Sequence, residues 1–264
     1  MINQFLLFML VGLGAQLVDG AIGMAYGVIS TTILLSIGIP PVVASAAVHT
    51  AEIATTGISG ISHAMFKNID YALFRRLVIP GIMGSIIGSY LLTKIPTQMA
   101  TPFISTYLLI MGIFILYRAF QKGKLIQAIK TFFVKKILKR KLPSSHARGL
   151  MPLGFAGGFF DAAGGGGWGA IVTSSLLAQG TTPHFTIGSV NLTEFLVTVS
   201  ASATFFFTIG LTHWPIIIGL VVGGAIGAPL AAYLVRRIDS HILMLMVGVL
   251  IILLSIRNLV GFFV

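Results

Sequence analysis

Residues 159–173 read FFDAAGGGGWGAIVT. An acid, four consecutive glycines and a tryptophan interrupt an otherwise apolar run. Glycine is about 1 kcal/mol poorer than alanine in a helix, and a carboxylate in apolar surroundings needs a partner or water. The stretch has a counterpart in LVDGAIGMAYGVIST, residues 17–31, with Asp, Gly, an aromatic–Gly pair and Thr at the same relative positions. At an offset of 142, Asp19 falls on Asp161, Gly23 on Gly165, Tyr26 on Trp168, Gly27 on Gly169, Thr31 on Thr173, Pro41 on Pro183 and Glu52 on Glu194. After one inserted residue, Gly81, Gly84 and Tyr90 fall on Gly224, Gly227 and Tyr233. The chain therefore reads as a duplicated unit, the kind of internal repeat on which transporter folds are built.

The medium is legible from composition. The 264 residues are 56% hydrophobic and 9% charged, with mean hydropathy +1.00, whereas soluble domains carry about 25% charged residues. Apolar segments at about 4–37, 41–62, 71–93, 97–117, 149–180, 183–208, 213–236 and 241–262 suit a bilayer core that takes roughly 20 helical residues per crossing. They lack the short alternating strands of a membrane barrel. The expectation is an all-α integral membrane protein of the cytoplasmic membrane, in two homologous repeats, 1–117 and 149–264, joined by a basic linker at 118–148. Residues 1–18 lack the basic start and cleavage site of a signal peptide and are read as mature protein. There is no cysteine, so disulfide, thiolate and Cys-ligated zinc chemistry are excluded.

The first segment of each repeat is too long for one straight crossing and short for two. With breaks at Gly20–Gly27 and Gly164–Gly169, each reads as two short helices that enter the membrane and turn back, followed by three full crossings. Backbone interrupted at that depth is tolerated only where protein or a water-filled cavity satisfies it. Ten of the seventeen Lys and Arg residues lie between Arg118 and Arg148, with no acid among them. That clustering fits a cytoplasmic linker set by the positive-inside rule and meeting anionic lipid, and it argues against nucleic acid as the partner. With the linker inside, Lys67, Arg75, Arg76, Arg236 and Arg237 also fall inside, and Lys94 and Arg257 do not. An odd number of crossings per repeat inverts the halves and puts both termini outside. Within the linker, Leu125, Ile129, Phe132, Phe133, Ile137 and Leu138 recur at helical spacing between lysines, as in a helix lying in the inner interface; a solvated loop is the alternative.

Four of the six acids, Asp19, Glu52, Asp161 and Glu194, lie inside apolar segments at repeat-matched positions. An ionised acid at mid-membrane costs at least about 2.5 kcal/mol, and no Lys or Arg stands nearby in sequence. The acids must be neutral, hydrogen-bonded or facing water, which makes them candidates for a site. Asp19 and Asp161 precede the glycine turns, where each can cap the second half-helix. Gly23, Gly27, Gly165 and Gly169 can permit close packing, whereas the run of four that includes Gly165, Gly166 and Gly167 frees backbone N–H groups at a half-helix N-terminus for an anion. Glu52 and Glu194 lie three residues after His49 and Asn191, on one helix face with them, and Thr50 and Thr193 add hydroxyls. These groups form either a proton-handling site or a helix–helix hydrogen-bond network. Tyr26 and Trp168 either line the site or pack. No HExxH pattern and no phosphate-binding loop ending in Lys-Ser/Thr is present, so neither metal nor cofactor is expected.

The stretches GLGAQLVDGAIGMAYG (12–27) and GFAGGFFDAAGGGGWG (154–169), with the duplicated layout and basic linker, resemble the TauE/SafE family of sulfite and organosulfonate exporters over essentially the whole chain. Many members carry a Gly-Thr-Asn-type stretch where this chain has HTAE and NLTE. The resemblance implies transport of small sulfur-containing anions such as sulfite, sulfoacetate or thiosulfate. The substrate-binding candidates are Asp19, Gly23, Tyr26, His49, Asp161, Gly165, Gly166, Gly167, Trp168, Asn191 and Thr193, and the proton-handling candidates are Glu52 and Glu194. A passive channel and an intramembrane enzyme using a His49/Glu52 dyad are the alternatives, and a homodimer is left open. Carboxylates repel anions, so the transport reading requires Glu52 or Glu194 to be protonated when substrate is bound.

Overall fold

The computed structural model describes residues 2–22, 24–122, 147–210, 213–234 and 240–263. Gly23, the amphipathic pattern at 124–141, and Arg236 and Arg237 lie outside them.

Among the described residues the regular structure is helical. α1 (Ile2–Ile22) and α2 (Tyr26–Ser36) divide the first apolar segment. α3 (Pro41–Met65), α4 (Tyr71–Lys94) and α5 (Thr97–Lys122) follow. α6 (Leu150–Gly164) and α7 (Gly169–Ala178) divide the fifth apolar segment, and the first turn of α7, Gly169–Thr173, is π-helical. α8 (Pro183–Ile209), α9 (Trp214–Leu234) and α10 (Ser240–Phe263) complete the chain. Among the described residues the eight apolar segments hold ten helices, because each glycine break ends one helix and starts another, as the two-short-helix reading of each first segment expects. α5 also runs through Arg118 to Lys122, past the expected boundary at residue 117.

α4, α5, α8, α9 and α10 are long and apolar enough to cross a bilayer. α3 has the length, 25 residues, but its hydroxyls, His49, Glu52 and His63 lower its hydropathy. The outer surface is apolar: Ile79, Met246 and Phe207 are 66%, 65% and 83% exposed. Such a surface suits lipid, and the protein is a multi-pass membrane protein.

Helix pairs are exchanged between the two halves of the chain. α1 runs parallel to α9, with Gly223 against the backbone of Met9 and Leu13, and Gly227 against Leu13 and Gln16. α6 runs parallel to α4, with Gly84 and Gly88 against the backbone of Phe155 and Phe159. Glycines at four-residue spacing let backbones approach closely, the usual means of helix association in lipid. By contrast, α3 and α8 are antiparallel: Gly57 meets Phe195, Gly60 meets Leu192, and the Thr56 and Thr198 hydroxyls stand 3.5 Å apart. α5 and α10 are antiparallel too, with Gly112 against Ile251 and Gly248 against Leu116. The two broken segments cross at the centre, where Gly166 lies on the backbone of Gly27 and Val28.

Candidate functional site

The two breaks are bridged in the same way. Asp19 Oδ1 accepts the Tyr26 backbone N–H at 3.3 Å, and Asp161 Oδ1 accepts the Trp168 backbone N–H at 2.8 Å. Each aspartate thus caps the helix that restarts after its break, satisfying a donor the break would orphan. Capping is one of the two readings of these aspartates, and the carboxylate of Asp161 stands at the N-terminus of α7. The backbone also turns back on itself, with the Gly166 N–H donating to the Asp161 carbonyl at 2.8 Å.

The carbonyls released by the second break are taken up by hydroxyls from other helices. Ser45 donates to Ala162 O at 2.7 Å, Tyr107 to Gly166 O at 2.8 Å, and Thr31 to Gly165 O. An unsatisfied group at this depth costs several kcal/mol, so these hydroxyls explain how the break persists. Gly165, Gly166 and Gly167 have φ of 78°, 134° and 135°, a region that side chains rarely enter. Ala25, the repeat equivalent of Gly167, has φ 127° despite its Cβ.

His49 bonds to Asp161 rather than pairing with Glu52, its neighbour on one helix face. Its Nδ1 lies 2.8 Å from the Ser45 carbonyl, and its Nε2 lies 3.1 Å from Asp161 Oδ2. The carbonyl can only accept, so the hydrogen-bond geometry assigns a proton to Nδ1. The contact to Asp161 then needs a second proton, carried on Nε2 or on Oδ2. In either arrangement the pair is neutral overall, which suits its complete burial. This pairing also removes the His49/Glu52 dyad as an arrangement for catalysis.

A cavity of about 240 Å³ lies beside the crossing. Both broken segments reach it, through Met24 to Gly27 and through Gly167 and Gly169. Asp19, Glu52, Glu194 and Asn191 line it, as do Tyr26 and Gln16. It extends along α3 from Glu52 past Thr56 and Ser59 to His63, about 16 Å of helix at 1.5 Å per residue. Glu52 is 5% exposed; its Oε1 lies against Gly27, and its Oε2 has no hydrogen-bond partner. The Gln16 Oε1 is likewise buried and unpartnered. Asn191 donates to Ser59 at 2.8 Å, tying α8 to α3 at the wall.

The predicted residues therefore separate into two groups. Asp19, Tyr26, Glu52, Gly167, Asn191 and Glu194 meet at the cavity. His49, Asp161, Gly165, Gly166 and Trp168 build the crossing behind it, and Thr193 is buried on α8. Trp168 is fully buried, its indole N–H donating to Val190 O, and the Thr193 hydroxyl donates within its own helix to Ser189 O. Gln16, Ser45, Tyr107 and His63 were not among the candidates. Among the described residues no group of acids and histidines is arranged to hold a metal ion.

The family model described as "Sulfite exporter TauE/SafE" matches residues 8–258. The chain is 40% identical over 262 residues to the "Probable membrane transporter protein YtnM" of Bacillus subtilis (strain 168), covering 98% of this chain and 84% of that protein. No solved structure matches it. With a cavity at the crossing of two broken membrane segments, and with this match over nearly its whole length, the chain belongs to the TauE/SafE family of membrane transporters.

Proposed function

We propose that the protein is a secondary transporter that exports small sulfur-containing anions, sulfite or sulfoacetate, across the cytoplasmic membrane, with Glu52 and Glu194 handling protons. The observation that carries this reading is the cavity where the broken segments cross, with two glutamates and an aspartate on its wall and, among the described residues, no Lys or Arg. Three like charges in so small a space cannot all be ionised. Protons therefore occupy the cavity in part of the cycle, and an anion enters when they do. The cavity is smaller than the pockets of about 300–1,000 Å³ that hold drug-sized ligands, in keeping with a substrate of a few heavy atoms.

An inverted pair of repeats supplies the frame. The antiparallel courses of α3 with α8 and of α5 with α10 support it, as does the contact of Thr56 with its own repeat equivalent, Thr198. A residue touching its equivalent is what a two-fold relation produces. Inversion permits the cavity to face either side by rocking one half against the other. With the linker in the cytoplasm, the His63 end of the cavity faces inward. Export of the anion without a proton runs down the membrane potential, which contributes about 2.3 kcal/mol per net charge per 100 mV, and each proton carried with it cancels one charge.

The test is flux from proteoliposomes across a panel of sulfite, thiosulfate, sulfoacetate and carboxylates of matched size. Saturable flux of the sulfur anions, faster than the carboxylates, is expected. Equal flux of all, or none above empty liposomes, would overturn the proposal.

A further inference from the structure

Among the described residues the cavity wall carries no Lys or Arg, yet its proposed cargo is an anion. One arginine stands one side chain away. Arg118, on the last turns of α5, turns into the protein: its Nη1 donates to the Ser174 hydroxyl on α7 and lies 3.4 Å from the Met24 sulfur. Met24 lies at the first break and lines the cavity, and Ser174 is buried. The guanidinium also lies 6.0 Å from the Phe114 ring.

Two features set this arginine apart. Its hydrogen-bond partners among the described residues, Ser174 and Met24, are neutral, and none of the membrane carboxylates is among them. Every other Lys or Arg side chain described, as at Lys67, Arg75, Arg76, Lys94, Arg148 and Arg257, is exposed, whereas Arg118 is half-buried. An arginine that only anchored the end of a helix would reach outward to headgroups and water. A guanidinium held inward by a hydroxyl and a thioether keeps most of its five donors for another acceptor. Its planar fork matches a sulfonate or sulfite bearing several oxygens. Methionine is unbranched and flexible, so rotation of Met24 suffices to join the guanidinium to the cavity.

We infer that Arg118 is the binding residue for the anionic group of the transported molecule, held by Ser174 and screened from the cavity carboxylates by Met24. The inference rests on the reading of an anionic substrate. It assigns the charges of the site to two places: protons to the glutamates, the anion to the arginine.

The chain contains no cysteine, so Arg118→Cys introduces a unique thiol. The variant is purified as one pool, then alkylated with 2-bromoethylamine, which leaves an ammonium, or with iodoacetamide, which leaves a neutral amide. Both thioethers survive sulfite. Sulfite flux from proteoliposomes is then compared with wild type, Arg118→Lys and Arg118→Gln. Loss of a charged hydrogen-bond donor to the substrate is expected to raise the KM about tenfold or more in Arg118→Gln and in the amide form. Arg118→Lys and the ammonium form are expected to recover most of it. Equal flux by ammonium and amide forms, or wild-type KM in Arg118→Gln, overturns the assignment while leaving the transport reading intact. Absence of sulfite flux in wild type overturns both.

Discussion

His49 and Asp161 are 112 residues apart, and the imidazole Nε2 of one lies 3.1 Å from the carboxylate of the other. Through this contact α3 of the first half grips the break of the second. Asp161 is thereby engaged on both oxygens, by His49 and by the Trp168 N–H. Among the described residues its repeat equivalent Asp19 accepts the Tyr26 N–H alone and lines the cavity; Asn191 stands where the duplication would put a second histidine and bonds to Ser59 instead. The halves differ here: both breaks reach the cavity, but Asp19 lines it and Asp161 does not.

Removing one member of the His49–Asp161 pair leaves the other buried without its partner. His49→Ala and Asp161→Ala are each expected to lower stability by about 3–5 kcal/mol. The double variant should lose less than the sum, because neither side chain is left buried without the other, and the Trp168 N–H freed by Asp161→Ala is freed only once. Thermal unfolding of the purified variants in detergent reads the cycle. Additive losses would show that the two side chains act independently.

The glycine run was legible because four glycines beside an acid have no use in an uninterrupted span, and because the duplication repeats the pattern at residues 19–27. The partner of Asp161 was not legible. Helical spacing ties His49 to Glu52, three residues on, but spacing along one helix says nothing of the segment that crosses it. Ser45 and Tyr107 were hidden for the same reason: a hydroxyl in an apolar helix carries no mark of the carbonyl it serves. Arg118 was masked by the basic run that follows it, which made it look like the start of a linker rather than the end of a span.

At the crossing, the backbone conformation and the space agree in requiring glycine. A side chain at residue 166 would strike the Gly27 backbone, one at residue 167 would strike the Tyr107 hydroxyl, and both positions have positive φ. Gly166→Leu and Gly167→Leu are expected to abolish transport while the protein still inserts, measured by flux and by membrane-fraction yield. The reverse change, Ala25→Gly, relieves a strained φ of 127° and should raise stability by about 1 kcal/mol. Wild-type flux in both leucine variants would reduce the glycine run to packing.

The proposed inversion, with the basic linker in the cytoplasm, puts both ends of the chain outside. A single cysteine at Asn3 or Phe262 is expected to react with an impermeant maleimide added to intact cells. One at Gln127, in the linker, is expected to react only after lysis. Labelling of the linker from outside, or protection of both end positions, contradicts the inverted arrangement.

Glu52→Gln and Glu194→Gln mimic the protonated acid at constant size. A glutamate that carries a proton should, as glutamine, still bind substrate yet lose the dependence of flux on pH. A purely structural glutamate should tolerate glutamine and fail as alanine, at a cost of about 1–3 kcal/mol for the group left unpaired. Flux measured from pH 5 to 8 separates the two. Wild-type profiles in both glutamine variants would end proton handling and leave the membrane potential as the drive.

The central claim, that a cavity between two inverted halves carries a sulfur anion by alternating its access, is tested most directly by counterflow. Liposomes holding the purified protein are loaded with unlabelled sulfite and diluted into a trace of radioactive sulfite with the membrane potential clamped at zero. A carrier exchanges inner for outer substrate, so the label should accumulate transiently above its equilibrium level and then decline. A monotonic rise to equilibrium without overshoot, or no entry beyond that of protein-free liposomes, would contradict it.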